Sequence, residues 1–281
     1  MRKSTTLAMV AALGCWTVAI GTGPVSASGA TSPAEAPVSP LAQDWGKVLE
    51  TRSASLASIK FVMKIEPGSQ EQEAEITAVM IDSKGVLLCS NTQTGGFPPL
   101  LQSRMGGMTA TPTSIKVLLG DDTDGLPARI VARDSELDLA WIQIDDAGDR
   151  TFTAVDFKQG QSPAVGETLL TVARLGKFFD RAPILQTTRL GGITRMPRRL
   201  YIPADASIAN ELGTPVFTTT GAPVGFTVLQ LPEVEDVEGG GMNAREYMSV
   251  VILPAEDVVR ATARAMEAAA TNPAASDESG K

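Results

Sequence analysis

From residue 58 to residue 254 the chain runs through one short apolar segment after another. Each is rich in Val, Ile, Leu or Thr, and Gly, Pro or Asp residues punctuate the series. "SIKFVMKIE", "EITAVMIDSKGVLLCS", "SIKVLLG", "PARIVAR", "DLAWIQID", "ETLLTVARL", "ILQTTRLGGIT", "RRLYIPA", "TPVFTTTGAPVGFTVLQL" and "YMSVVILP" follow in order. A turn is expected at 83–85, inside the second. Short runs at regular spacing predict an all-β chain, a sandwich or a barrel set. Roughly a dozen strands are too many for one small barrel, so two barrels are expected. No fixed-period repeat is visible.

The texture changes at both ends. "PAEDVVRATARAMEAAA" places Val258, Val259, Thr262, Ala265, Met266 and Ala269 on one helical face. Pro254 suits a first helical turn, and Glu256 and Asp257 suit the positive end of the dipole. A short C-terminal helix over 255–268 and a disordered tail over 269–281 are expected. At the other end Arg2 and Lys3 precede an apolar run at 7–20, and "VSA" ends at Ala27. Residues 1–27 read as a signal peptide, which sends the chain to the periplasm, the cell envelope or the outside. The run is shorter than the roughly 20 residues of a membrane span, and a retained N-terminal anchor is the alternative. "ALGCW" around Cys15 hints at lipoprotein processing, but Ala12 stands where Leu is preferred. Residues 28–44, rich in Ser, Ala, Pro and Thr, read as a disordered linker. A short amphipathic helix is expected from Trp45 to about Ser55. The Gly, Pro and Met-rich stretch 92–113 and the acidic, then Gly-rich, stretch 233–246 read as surface loops.

For chemistry the decisive count is zero: the 281 residues contain no His. Most serine and cysteine hydrolases use His as base because its pKa lies near physiological pH, and zinc catalysis usually uses it too. The net charge of −8 argues against nucleic acid as a partner, since a phosphate backbone needs a basic footprint. Once the signal is removed only Cys89 remains of the two cysteines, so no internal disulfide forms in the mature chain.

Four blocks then align in order with a known pattern. "AVMIDSKGVLLCSNTQ" at 78–93, "RDSELDLAWIQID" at 133–145, "NELGTPVFTTTGAPVGFTV" at 210–228 and "MSVVILPAEDVVRATARAM" at 248–266 resemble the trypsin-like serine proteases (PA clan). The similarity is greatest to the protease domain of the bacterial Deg/HtrA branch. There a strand "GxxIDxxGYILT" runs into "NNHV" with the catalytic His, "DxxTDLAxLxI" carries the triad Asp, and "GNSGGPL" carries the nucleophilic Ser. The resemblance covers about 45–268. It implies two six-stranded antiparallel barrels, the first at about 56–157 and the second at about 160–254, with the helix behind them.

Residue by residue, the resemblance puts Thr92 at the His position, Asp138 at the Asp position and Leu212 at the Ser position. The oxyanion loop falls on Asn210, Glu211, Gly213 and Thr214, with Thr214 in place of the family's second glycine. A triad needs a hydroxyl to attack, a base to take its proton and a carboxylate to orient the base. Leu212 has no hydroxyl and Thr92 no basic lone pair near neutral pH. Asp138 is expected in a structural role, holding backbone or Thr92 at the seam between barrels. The expectation is a catalytically inactive protease homologue, a pseudoprotease, that binds a peptide or protein through the cleft, a strand edge or the 92–113 loop. A serine-type hydrolase with a non-standard mechanism is the alternative. No cofactor or metal is expected. The chain ends after the barrel helix, so no PDZ domain is expected. The family's trimers make a homo-oligomer an open alternative.

Rival sites are weaker. Cys89 lies in the apolar "GVLLCS" with nothing nearby in sequence to lower its pKa, and reads as a buried, inert thiol. A Ser–Lys dyad among Ser83, Lys84 and Ser90 has no support. Asp121, Asp122 and Asp124 in "GDDTDG" lack the later Glu of a calcium loop and read as a turn. Met105 and Met108 are too few thioethers for copper. Arg189, Arg195, Arg198 and Arg199 form a local basic spot, a solvated β face or a grip on an acidic partner.

Overall fold

The alternation of buried and outward residues decides which strands pair and which face they bury. The computed structural model describes residues 39–205, 211–231 and 249–271. In the first half, six strands close on themselves: β1 (Leu56–Glu66), β2 (Gln70–Met80), β3 (Val86–Ser90), β4 (Thr109–Leu119), β5 (Leu126–Asp134) and β6 (Leu139–Ile144). Around the barrel the order is β1-β2-β3-β6-β5-β4. In the second half β7 (Thr168–Arg174), β8 (Pro183–Ile193), β9 (Tyr201–Pro203), β10 (Pro215–Thr218), β11 (Pro223–Gln230) and β12 (Ser249–Pro254) close in the order β10-β11-β12-β9-β8-β7. Every pairing is antiparallel.

The burial sorts into three layers. Ile59, Phe61, Leu87, Cys89, Val117, Ile142 and their neighbours fill the first barrel. Leu169, Leu190, Tyr201, Val216, Val224 and Ile252 fill the second. Between them lies the largest cluster, with Leu88, Leu139, Trp141, Val172, Phe217, Phe226 and Leu253. This explains why "VLLCS" is apolar throughout rather than alternating. Leu87 and Cys89 point into the barrel while Val86 and Leu88 point out onto the central layer, so both faces of β3 are dry.

Two helices join the central layer. In α1 (Pro40–Ser53), Val48 is buried and Trp45 and Leu49 pack beside it. In the C-terminal helix, Val258 and Ala261 are buried, and the Trp141 indole donates to Thr262 Oγ1 at 3.1 Å. Among the described residues no helix is long and apolar enough to cross a membrane.

Several expectations need correction. Residues 40–44, read as the end of a linker, belong to α1. Ser39 caps it by accepting from the Ala42 N–H at 3.2 Å, and Pro40 takes the first position, where its missing N–H costs nothing. The stretch 92–113 is only partly loop. It holds a 3-10 turn (Thr92–Thr94), the short helix α2 (Pro99–Arg104) and the outer half of β4, whose Pro112 sits opposite Met63. A proline within "TATPT" hid that pairing. The C-terminal helix, α3 (Ala255–Thr271), runs past residue 268 because Ala268, Ala269 and Ala270 propagate it. The signal peptide, the rest of the linker, the 233–246 stretch and residues 272–281 lie outside the described residues.

Candidate functional site

Asp138 sits at the start of β6, in the turn where β5 hands over to it. Its backbone is left-handed (φ 57°), a conformation Asp tolerates better than most residues. The side chain is 1 % exposed and fully engaged. The Ser90 hydroxyl donates to the carboxylate, lying 2.9 Å from Oδ2 and 3.1 Å from Oδ1. The Thr92 N–H donates to Oδ1 at 2.7 Å, and the Leu229 N–H to Oδ2 at 2.9 Å. Ser90 and Thr92 belong to the first barrel and Leu229 to β11 of the second, so this carboxylate joins the two barrels. Burial pushes the Asp138 carboxyl above its ordinary range, and the hydrogen bonds, that from Leu229 foremost, pull the other way. The Thr92 hydroxyl lies near the same carboxylate but in no hydrogen bond of good geometry.

The turn that carries Thr92 is braced from below. Arg133 donates from Nη1 to Asn91 Oδ1 at 2.5 Å and to Thr94 Oγ1 at 2.8 Å, and from Nη2 to the Thr94 carbonyl at 2.9 Å. Asn91 Nδ2 donates in turn to the Gly96 carbonyl at 2.8 Å.

The 211–214 loop is stapled to β11. The hydroxyls of Thr214 and Thr227 donate to the Glu211 carbonyl at 2.7 and 2.5 Å. The Gly213 N–H donates to the Thr227 carbonyl at 3.0 Å, and the Thr227 N–H to the Thr214 carbonyl at 2.9 Å. Gly213 is left-handed (φ +80°). A Cβ there would lie 2.7 Å from Gln93 Oε1 and 3.1 Å from the Ser90 nitrogen. The loop therefore presses against the turn that carries Thr92, which brings that turn, Asp138 and the 211–214 loop into one cleft. Asn210 lies outside the described residues.

Beside this contact a cavity of about 260 Å³ opens between the barrels, walled by Glu75 and Thr77 of β2, Gln93, Arg174, Glu211 and Leu212 among others. Glu211 is 8 % exposed and takes a hydrogen bond from Gln186 Nε2 at 2.5 Å. Burial raises its pKa, and the Gln186 bond opposes the shift. Ser90 and Gln93 fall inside the aligned 78–93 block without a role assigned there, and Leu229, Arg174 and Gln186 lie in none of the four blocks. Their places come from pairings far apart along the chain, which sequence spacing does not reveal.

The other sequence candidates lie elsewhere. Cys89 is buried in the first barrel with its thiol donating to the Ala140 carbonyl at 3.6 Å, and burial pushes its pKa up to about 12. Asp122 Oδ1 accepts from the N–H groups of Asp124 and Gly125, which makes the acidic run a β4–β5 turn. Arg198 pairs with Glu136. Arg199 approaches Glu256 at 3.8 Å and lies over the Tyr201 ring. Two of the four arginines in the basic spot thus face carboxylates of their own chain.

Two closed six-stranded antiparallel barrels with a cleft between them define a trypsin-like double barrel. The chain belongs to the trypsin-like peptidase domain family, whose sequence profile matches residues 77–226. No curated protein sequence matches it. Among solved structures, Deg5 is similar over 79 % of this chain and 94 % of its own, at 15 % identity and a TM-score of 0.54. The HtrA-type protease AlgW, solved as a serine-to-alanine variant with a decapeptide, is similar over 79 % of this chain and 67 % of its own, at 15 % identity and a TM-score of 0.53.

Proposed function

We propose that this chain is an exported, catalytically inactive HtrA-like serine protease homologue that works as a peptide- or protein-binding module. The observation that carries this reading is the pairing of a stapled 211–214 loop, with Leu212 in the nucleophile's place, with a carboxylate whose donors are all backbone or hydroxyl groups. Asp138 orients no base, because Thr92 offers it an N–H and the chain has no His. The one side-chain hydroxyl that donates to Asp138, that of Ser90, is fully buried and so meets no substrate. The Cys89 thiol is sealed and protonated, so it supplies no substitute nucleophile. Export rests on the basic start, the apolar run and the small-residue site that ends at Ala27.

The experiment is direct. Purified protein is incubated with unfolded casein and with a serine-directed fluorophosphonate probe. The expected result is neither cleavage nor labelling, and either one persisting after re-purification ends the proposal. Restoring the missing groups is a sharper version. Thr92→His alone and Leu212→Ser alone are expected to give no proteolysis. The double variant is expected to stay poor because Glu211 and Thr214 keep their positions in the loop. Robust casein cleavage by either single variant would overturn the residue assignments.

A further inference from the structure

Among the described residues one charge on the wall of the 260 Å³ cavity, that of Glu211, lacks a partner of opposite sign. Glu211 is buried, yet its hydrogen bond comes from a neutral amide, Gln186. Arg174, half-buried, spends its guanidinium on three backbone carbonyls, Leu56 at 3.2 Å, Arg181 at 3.1 Å and Ser53 at 3.2 Å, and the Asp121 carboxylate supports its charge. Among the described residues neither forms a salt bridge, with the other or with any third group. Glu75, the other carboxylate on the wall, is taken by Arg181 at 2.6 Å. Buried ions are normally paired, and one left unpaired is costly. A ligand that brings a cation to Glu211 relieves that cost; one that brings an anion adds to it.

The surroundings say what the cation is attached to. Leu175, Ile184 and Leu212 give the cavity an apolar side suited to an aliphatic stem. Two residues beyond the wall, the 3-10 turn Lys177–Phe179 holds Phe178 and Phe179 edge to face, with ring centroids 4.9 Å apart. Phe178 is 91 % exposed. The arm that carries them is held to β2 by the Arg181–Glu75 pair. Exposed paired aromatics beside a polar pocket fit a partner that continues past it, and ring faces favour cations. The net charge of −8 draws basic partners to the chain.

Building on the peptide-binding reading above, we infer that the cavity is a receptor for a lysine or arginine residue of an extended polypeptide, with the side-chain cation against Glu211 and the flanking residues over Phe178 and Phe179. Arg174 lines the same space, and the guanidinium N–H groups not used on the three carbonyls suit the carbonyl that a peptide residue carries and a simple amine lacks.

The test pans a random heptapeptide library on the immobilised full chain, and on the chain with Glu211→Gln, which keeps the shape and the Gln186 partner. Wild type is expected to enrich Lys or Arg at one position, and the variant to lose that enrichment. The best peptide is then titrated against its norleucine analogue, with at least a tenfold loss of affinity expected. Thermal melts check that the variant folds; should it not, the norleucine comparison on wild type decides alone. Peptides enriched without basic preference, or bound equally by the norleucine form, overturn the inference and leave peptide binding standing. A library that yields no binder removes the peptide-binding reading and this inference together.

Discussion

Two buried carboxylates line one cleft and live by different rules. Asp138 collects a hydroxyl and two backbone N–H donors, drawn from both barrels. Glu211 collects one amide. Both have pKa values pushed up by burial, so burial alone does not tell them apart. What differs is satisfaction. A carboxylate held by donors from both barrels is a fastener. One with capacity to spare, facing a cavity, is available to something that arrives.

The comparison breaks first at Asp138. Asp138→Ala strands the Ser90 hydroxyl and the N–H groups of Thr92 and Leu229 in a dry seam. A loss of about 3–5 kcal/mol is expected from the desolvation of unpaired donors. In a domain of this size that is a fall in melting temperature of about 10 °C or more. Asp138→Asn is expected to lose less, about 2–3 kcal/mol, because one acceptor oxygen survives while the new NH2 faces other donors. A melt unchanged by either substitution would show that the fastener is idle.

Gly213→Ala probes the wall between the two carboxylates. It forces a Cβ into left-handed backbone against the Ser90 nitrogen, so a loss of about 2 kcal/mol is expected in chemical denaturation. A neutral result would mean that the loop is free to move away from the Thr92 turn.

Glu211→Gln sharpens the contrast with the smallest effect, within about 1 kcal/mol. Because burial holds the folded-state pKa of Glu211 above its unfolded value, ionising it weakens the fold. Wild type therefore loses stability relative to the variant as pH rises from the ordinary carboxylate range through the raised value. The variant is expected to melt higher at pH 8, with the gap closing as pH falls toward 4. A gap that widens on acidification would reverse the assignment.

The sequence carried the fold further than the site. Turn residues between apolar runs predict two barrels, and both are present. The continuous apolarity of "VLLCS" has its cause in a strand buried on both faces. Asp138 was readable as a hydrogen-bond acceptor at the seam because an aligned block carried it, and the Thr92 N–H is one of its donors. Leu229 was not readable, because it contributes a backbone N–H from 91 positions away, which any residue type can supply. Arg174 was equally hidden, while Glu211 was readable only as a member of the oxyanion loop. What sets Glu211 apart is the opposite charge it fails to meet, and that exists only after folding. The misread entry to α1 was a matter of ambiguity: Ser-Pro within a proline-rich stretch suits both a linker and a helix start.

Cys89 offers a way to time the opening of the first barrel. Its thiol is fully enclosed and holds its proton until about pH 12. At pH 8 roughly one thiol in ten thousand would be ionised even with a reagent at hand. Alkylation therefore waits for the strands to part. With Cys15→Ser, the labelling rate becomes a stopwatch for that event, readable by mass.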